Sequence, residues 1–157
     1  MTISRASRLI GGIGLVLALG GATPLHAQAD LGTWVRQPTA ATPGAITLTI
    51  SACCNGGRRY AFSFTIGPNT QVMTVDSPLD GSDVPALIDG KPSGETMAIR
   101  RLDDHHTHTV VKLNGKPFGT SDGTLSADGK TITVLNEFMT SAGGQPAGKT
   151  TETWVRK

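Results

Sequence analysis

An alternation of apolar and polar residues with a period of two constrains the fold of this chain more than any other feature. Ile46, Leu48 and Ile50 fall on one face of an extended segment. Thr47 and Thr49, which lie between them, fall on the opposite face. Such runs are rich in Thr, Val and Ile, which suit the pleated, half-buried surface of a strand. Because no segment beyond the N-terminal region has a sustained helical period, the sequence predicts an all-β fold.

Short turn signals separate the alternating runs. Asn114-Gly115 and Asp128-Gly129 accept the positive φ angles of tight hairpins. Short antiparallel strands with short links predict a meander, which either a barrel or a sandwich would satisfy. We favour an antiparallel up-and-down β-barrel of about eight to ten strands, because closure removes the edges at which a secreted sheet aggregates. The strands are predicted near residues 32–36, 45–52, 58–66, 70–75, 84–88, 95–102, 106–113, 117–126, 130–138 and 148–156.

The first and last predicted strands share a motif. The first contains Trp34-Val35-Arg36, and the last contains Trp154-Val155-Arg156. In a closed meander these two strands are neighbours, so the rings and guanidinium groups would meet and stack. The alternative is a coincidence of residues that are common in strands.

The N-terminal region predicts an export signal rather than part of the fold. Two arginines precede an apolar run over residues 9–21, and an Ala-x-Ala cleavage pattern ends at Ala29. The run is shorter than the roughly 20 residues of a helix that spans a bilayer. We therefore expect a signal peptide over residues 1–29 and a mature domain over residues 30–157, with no membrane span after signal removal and a retained anchor as the alternative. The protein is predicted to be bacterial and to work in the periplasm or outside the cell.

Removal of the signal also neutralises the chain. The full sequence has 14 basic and 12 acidic residues, and the signal takes two arginines with it, which leaves 12 of each sign. A neutral domain lacks the dense basic patch that a phosphate backbone requires, so we expect no nucleic-acid partner. The pairs Arg58-Arg59 and Arg100-Arg101 are interpreted as solvated strand residues. No pattern in the sequence indicates a particular oligomeric state.

Several segments carry a resemblance to a known family. Gly32-Thr33-Trp34 resembles the Gly-x-Trp opening of the calycins, which include the lipocalins and the fatty-acid-binding proteins. The likeness to small exported bacterial lipocalin-like proteins runs from residue 32 to the end, and it implies a lipocalin-like barrel around an apolar cavity. Its other segments are Asp80-Gly81-Ser82-Asp83-Val84-Pro85, Ile99-Arg100-Arg101-Leu102-Asp103, Asn114-Gly115-Lys116 and, most specific, Ser126-Ala127-Asp128-Gly129-Lys130-Thr131.

The chain departs from the fatty-acid-binding proteins in two places. Those proteins insert two helices after the first strand, but residues 37–44 here contain Pro38 and Pro43, which exclude a helical lid. Those proteins also hold the ligand carboxylate with an Arg-x-Tyr pair on the last strand. Glu152 and Trp154 stand at the matching positions here, and an acid there would repel a fatty-acid carboxylate.

Alternate residues of a barrel strand face inward, where they can line a ligand pocket. The chain has seven aromatic residues and much Thr, Ala and Gly, so we expect the interior to be incompletely filled. We predict non-catalytic binding of a small apolar or amphipathic molecule, without a cofactor. The alternative is a cell-envelope interaction module with a filled barrel and no ligand. The pocket is predicted to be lined by Tyr60, Phe62, Phe64, Met73, Met97 and Ile99.

Two histidines suggest a metal site. His106 and His108 would point the same way from one strand, and two neutral imidazoles on one face can share an ion. A third ligand would have to come from a neighbouring strand. The alternative is a pair of solvated histidines at a strand end.

Cys53 and Cys54 are the only cysteines, and export implies an oxidising compartment. Adjacent Cα atoms lie about 3.8 Å apart, below the usual disulfide range of roughly 4.4–6.8 Å. An intrachain bridge would therefore be strained and easily reduced. The pair could clamp a turn, act as a redox-active or metal-sensing group, or link two chains.

One stretch matches a hydrolase motif. Residues 119–123 read Gly-Thr-Ser-Asp-Gly, a G-x-S-x-G pattern that requires a strand-to-helix elbow. Because the surrounding sequence predicts strands, we interpret the match as chance and do not predict an enzyme.

Overall fold

The computed structural model describes residues 28–38, 45–66, 68–141 and 147–157. Residues 1–27 of the predicted signal peptide lie outside these ranges, as does most of the segment in which no helical lid is expected. Within the described ranges, no helix is long and apolar enough to cross a bilayer.

In the part of the chain that the structure describes, ten antiparallel strands form one closed barrel, in which β1 pairs with β10 and all other paired strands are consecutive in the sequence. This architecture confirms the predicted all-β meander and decides between barrel and sandwich in favour of the barrel. The strands are β1 (Gly32–Arg36), β2 (Ile46–Cys53), β3 (Gly57–Ile66), β4 (Asn69–Ser77), β5 (Asp80–Ile88), β6 (Lys91–Arg101), β7 (His106–Leu113), β8 (Lys116–Leu125), β9 (Thr131–Phe138) and β10 (Gly148–Arg156).

The two strongest hairpin signals both form turns between consecutive strands. Asn114 and Gly115, between β7 and β8, have φ angles of 49° and 77°, as a two-residue hairpin turn of this hand requires. Between β8 and β9, Gly129 has a φ of 67°. In the same turn, the Ser126 hydroxyl donates to Asp128 Oδ1 at 2.6 Å.

The seam of the barrel brings together the motif that the first and last strands share. Trp34 lies opposite Arg156, and Arg36 lies opposite Trp154. The Arg156 guanidinium lies 4.2 Å from the centre of the Trp34 ring, which is a cation–π distance. Arg36 instead donates through Nη1 to Glu152 Oε1 at 3.2 Å. The predicted stacking is therefore confirmed for Trp34 and Arg156.

The buried apolar side chains pack in three clusters. The largest surrounds the two tryptophans, the second lies on β4 to β6, and the third joins β7, β8 and β9. Their buried members are Trp34, Leu48, Ile50, Leu125 and Trp154; Val75, Leu79, Ala86 and Ile99; and Val111, Phe118 and Phe138.

Candidate functional site

The inner face of the barrel surrounds a cavity of about 360 Å³. Apolar side chains supply most of its wall. The six residues that the sequence predicts as pocket lining all lie in this wall: Tyr60, Phe62, Phe64, Met73, Met97 and Ile99. Their contact with a ligand stays a prediction.

Aromatic rings pack against one another in the interior of the barrel. Phe62 and Trp154 form an edge-to-face pair with ring centres 6.0 Å apart, and because β1 and β2 separate their strands, this contact crosses part of the interior. Phe118 and Phe138 stack with ring centres 5.0 Å apart at one end of the barrel. We name this end, where β9 ends and β10 begins, the Phe138 end.

At the opposite end, where β1 begins, one carboxylate bonds two separate strands. Asp30 accepts hydrogen bonds from Arg58 Nε and Nη2 at 2.8 and 2.9 Å, and from Arg101 Nη2 at 3.1 Å. Arg58 is the second residue of β3 and Arg101 is the last residue of β6, and β4 and β5 lie between these strands. The carboxylate therefore lies across this end of the barrel, which we name the Asp30 end. Trp34 Nε1 fixes the backbone there by donating to the Asp30 carbonyl at 3.1 Å.

Tyr60 lies in the cavity wall close to this ionic cluster. Burial raises the pKa of its phenol to about 12, and the nearby Asp30 carboxylate adds to the rise. Arg101 and Arg58 oppose it by favouring the phenolate. The phenol therefore stays protonated at neutral pH, where it can donate a hydrogen bond into the cavity.

A buried ion pair lies in the cavity wall, with Glu152 at the middle of β10. The side chains of Arg36 and Glu152 are 5% and 10% exposed, and their nearest charged atoms lie 3.2 Å apart. The sequence predicts that an acid at this position repels a ligand carboxylate, but the guanidinium of Arg36 compensates that charge. A second polar contact joins β8 to β9 here, because the Ser121 hydroxyl donates to Asn136 Oδ1 at 2.6 Å.

Only four of the described lining residues are exposed, and they are consecutive: Asp103, Asp104, His105 and His106. The exposed part of the described cavity wall is this turn between β6 and β7, which we name the 103–106 turn. Asp103 Oδ1 holds the turn by accepting the backbone N–H groups of His105 and His106 at 2.8 and 2.9 Å. The hydrogen bond from the His105 backbone, followed by that from the His106 ring, keeps the pKa of Asp103 below its usual range.

The two histidines predicted to share a metal ion have separate carboxylate partners. His106 Nδ1 lies 2.8 Å from Asp103, and His108 Nδ1 lies 2.7 Å from Asp122. Among the residues that the structure describes, no third His, Cys, Asp or Glu side chain completes a ligand group with both histidines. The geometry does not assemble the predicted site, and metal binding by this pair stays a prediction.

Cys53 and Cys54 form a disulfide between adjacent residues, with Cα atoms 3.8 Å apart. The bridge lies at the turn between β2 and β3, where Cys54, Asn55 and Gly56 all have positive φ angles. The disulfide is therefore a bridge within the chain, whereas a link between two chains was one of the predicted alternatives.

The interpretation of both arginine pairs as solvated is wrong for one member of each. Arg59 and Arg100 are exposed, whereas Arg58 is buried and Arg101 is half-buried. Arg58 and Arg101 both bond Asp30, and this cluster of three charged residues was not predicted from the sequence. Strand alternation carried the signal, because Arg58 lies two residues from the inward-facing Tyr60.

The hydrolase-like motif lies within a strand. Residues 119–123 belong to β8, and β9 follows after a short turn rather than a helix. The hydroxyl of Ser121 is hydrogen-bonded to Asn136. The elbow that the motif requires is therefore not formed.

A closed ten-stranded antiparallel barrel around a cavity defines a calycin-like fold of the fatty-acid-binding-protein type. Among solved structures, a crystal structure of a mutant of the fluorescent protein UnaG is similar, with a TM-score of 0.57 and 12% sequence identity. The match covers 83% of this chain and 97% of that chain. At this identity the likeness shows the fold alone. No protein-family model matches the chain, and no curated protein matches it significantly in sequence.

Proposed function

We propose that this protein binds a small apolar or amphipathic molecule in the cavity of its barrel and does not transform it chemically. The observation that carries the proposal is the apolar cavity of about 360 Å³, a size within the roughly 300–1,000 Å³ of small-molecule pockets. Binding would remove apolar ligand surface from water, at about 25 cal/mol per Å². The few polar groups in the wall would fix the orientation of the ligand.

The wall also suggests how a ligand would enter and lie. The exposed 103–106 turn offers a route to solvent, whereas the aromatic pair of Phe118 and Phe138 is buried at the far end. An amphipathic ligand would keep its polar group near the 103–106 turn. Its apolar body would then lie against Phe62, Met73 and Met97, which are only half-buried because they face the cavity.

Export of the protein is part of this proposal. A mature chain that begins at Asp30 would retain the carboxylate that bonds Arg58 and Arg101 across the barrel end. The Cys53–Cys54 disulfide suits an oxidising compartment such as the periplasm or the extracellular space. Both observations support a carrier that works outside the cytoplasm.

Filling the cavity tests the proposal. Thr109 lines the cavity, so Thr109→Trp would occupy ligand space. Thr133 is exposed on β9, so Thr133→Trp adds the same side chain outside the barrel. We expect anilinonaphthalene sulfonate, a fluorescent apolar anion, to bind the mature wild-type protein and the Thr133→Trp variant equally. We expect Thr109→Trp to weaken that binding by about tenfold or more, equivalent to about 1.4 kcal/mol.

Circular dichroism and thermal melting would check that each variant folds, and Thr109→Leu offers a smaller change if the larger ring disturbs the barrel. Equal binding by the folded cavity variants and the Thr133→Trp control would contradict a cavity site. That result, together with a stable partner protein, would favour the envelope interaction module.

A further inference from the structure

Cys53, Cys54 and Asp76 form a cluster that takes no part in the cavity. The two sulfur atoms and one carboxylate oxygen all lie within 4.8 Å of one another. Cys54 is exposed, and Cys53 and Asp76 are half-buried. The cluster is therefore accessible to solvent and to small ions.

The register of the sheet creates this cluster. Ser51 of β2 lies opposite Arg59 of β3, and Arg59 lies opposite Asp76 of β4. Cys53 lies two residues beyond Ser51 and so shares its face of β2. The turn then places Cys54 next to it, in a left-handed conformation with a φ of 51°.

Arg59 holds the Asp76 carboxylate in place beside the sulfur atoms. Its Nε donates to Oδ1 and its Nη2 donates to Oδ2, both at 2.6 Å. This paired bond fixes the orientation of the carboxylate. A carboxylate has about four lone-pair sites. The two hydrogen bonds from Arg59 use two of these sites, and the remaining sites can bind a cation.

We propose that reduction of the Cys53–Cys54 disulfide opens a site for a thiophilic divalent ion, with both thiolates and Asp76 as its protein ligands. Sulfur and carboxylate oxygen are ligands for Zn²⁺, which would complete its tetrahedral coordination with water. While the disulfide is intact, neither sulfur is a thiolate and the site is closed. Metal affinity at this site therefore depends on the redox state of the cysteine pair.

The reaction needs a dithiol reductant. One of its thiolates attacks a disulfide sulfur, its second thiolate resolves the mixed disulfide, and the reductant leaves as a disulfide that has given two electrons. The cysteines gain those electrons and two protons as thiols. Binding of the ion then displaces both thiol protons to solvent, so affinity should rise with pH.

Calorimetric titration with Zn²⁺ would test the site on the mature protein. The protein would be reduced with dithiothreitol, freed of reductant without oxygen, and compared with the oxidised form. We expect one Zn²⁺ per reduced chain, and no binding to the oxidised chain or to the Cys53→Ser/Cys54→Ser variant. Cd²⁺ should give a thiolate charge-transfer absorption with the reduced protein alone.

Two carboxylate variants separate the role of Asp76 from that of surface charge. The side chains of Asp76 and Asp83 are 42% and 44% exposed, and each is paired with a cation, Arg59 and Lys112 respectively. We expect Asp76→Asn to weaken Zn²⁺ binding about 10- to 100-fold and Asp83→Asn to leave it unchanged. Equal affinities for these two variants would overturn the assignment of Asp76. Equal Zn²⁺ binding by the reduced wild type and the double serine variant would overturn the site as a whole.

Discussion

The Asp30 end of the barrel and the wall between its two ends are bonded differently. At the Asp30 end, a carboxylate bonds arginines on β3 and β6, which are not neighbours in the sheet. Along the wall, Arg36 bonds Glu152 and Ser121 bonds Asn136, in each case between adjacent strands. The first arrangement crosses the end of the barrel, whereas the second reinforces the wall.

This difference bears on access to the cavity. Asp30 occupies part of the end at which the exposed 103–106 turn also lies. The exposed part of the cavity wall therefore lies at the same end as Asp30, at the turn between β6 and β7. The residues before β1 hold the seam, because Arg156 Nη1 donates to the Leu31 carbonyl at 2.6 Å.

The largest expected effect lies at the buried ion pair of the wall. Glu152→Gln would replace the carboxylate of this buried pair with a neutral amide, and removing one charged partner of a buried pair costs about 3–5 kcal/mol. We expect the free energy of unfolding, measured with urea, to fall by that amount. The double variant Arg36→Met/Glu152→Leu should recover most of the loss, because it removes both charges. A loss below about 1 kcal/mol in the single variant would mean that the pair is solvated.

The next effect concerns the pH dependence of stability at the Asp30 end. The folded protein raises the pKa of Tyr60 from 10.0 to about 12, because burial favours the neutral phenol. The resulting stabilisation is fully present below pH 10 and is lost as the pH rises through about 12. A shift of this size corresponds to about 2–3 kcal/mol.

Tyr60 is the only tyrosine in the chain, so tyrosinate absorbance reports its ionisation directly. We expect ionisation to coincide with alkaline unfolding in the wild type. Tyr60→Phe should unfold at a higher pH than the wild type, since it has no phenol to ionise. Ionisation near pH 10 in a protein that remains folded would show that the phenol is exposed.

A smaller effect is expected for Asp30→Asn. The side chains of Asp30 and Arg58 are 19% and 5% exposed, and loss of a hydrogen-bonded charge at such a site costs about 1–3 kcal/mol. Because Asp30 lies across the barrel end, the variant should also bind anilinonaphthalene sulfonate faster in stopped-flow fluorescence. Asp128→Asn, an exposed carboxylate at the same end that is not part of the cavity wall, serves as the control. Equal rates for both variants would contradict a blocking role for Asp30.

Local pattern predicted the fold because each strand contains its own alternation. The alternation that predicts a strand over Ile46, Leu48 and Ile50 also places all three side chains on one face. The Trp-Val-Arg motif that the first and last strands share indicated that these two strands are neighbours. The same alternation places Arg58 with Tyr60 and Arg101 with Ile99 on the inner face. Charge led to the opposite interpretation, because arginines are usually solvated.

The partners of the buried charges could not be read from the sequence. Asp30 precedes the first strand and bonds Arg101, which lies 71 positions further along. Arg36 and Glu152 are separated by 116 positions. The closeness of Asp76 to the cysteines depends on the register of β2, β3 and β4, which alternation alone does not fix.

Native mass spectrometry of the mature protein, purified from its own host, tests the central claim most directly. A barrel with a ligand cavity predicts an intact mass above that of the polypeptide, with the excess lost on denaturation and missing from Thr109→Trp. A wild-type mass that equals the polypeptide alone, unchanged by denaturation, would contradict the account.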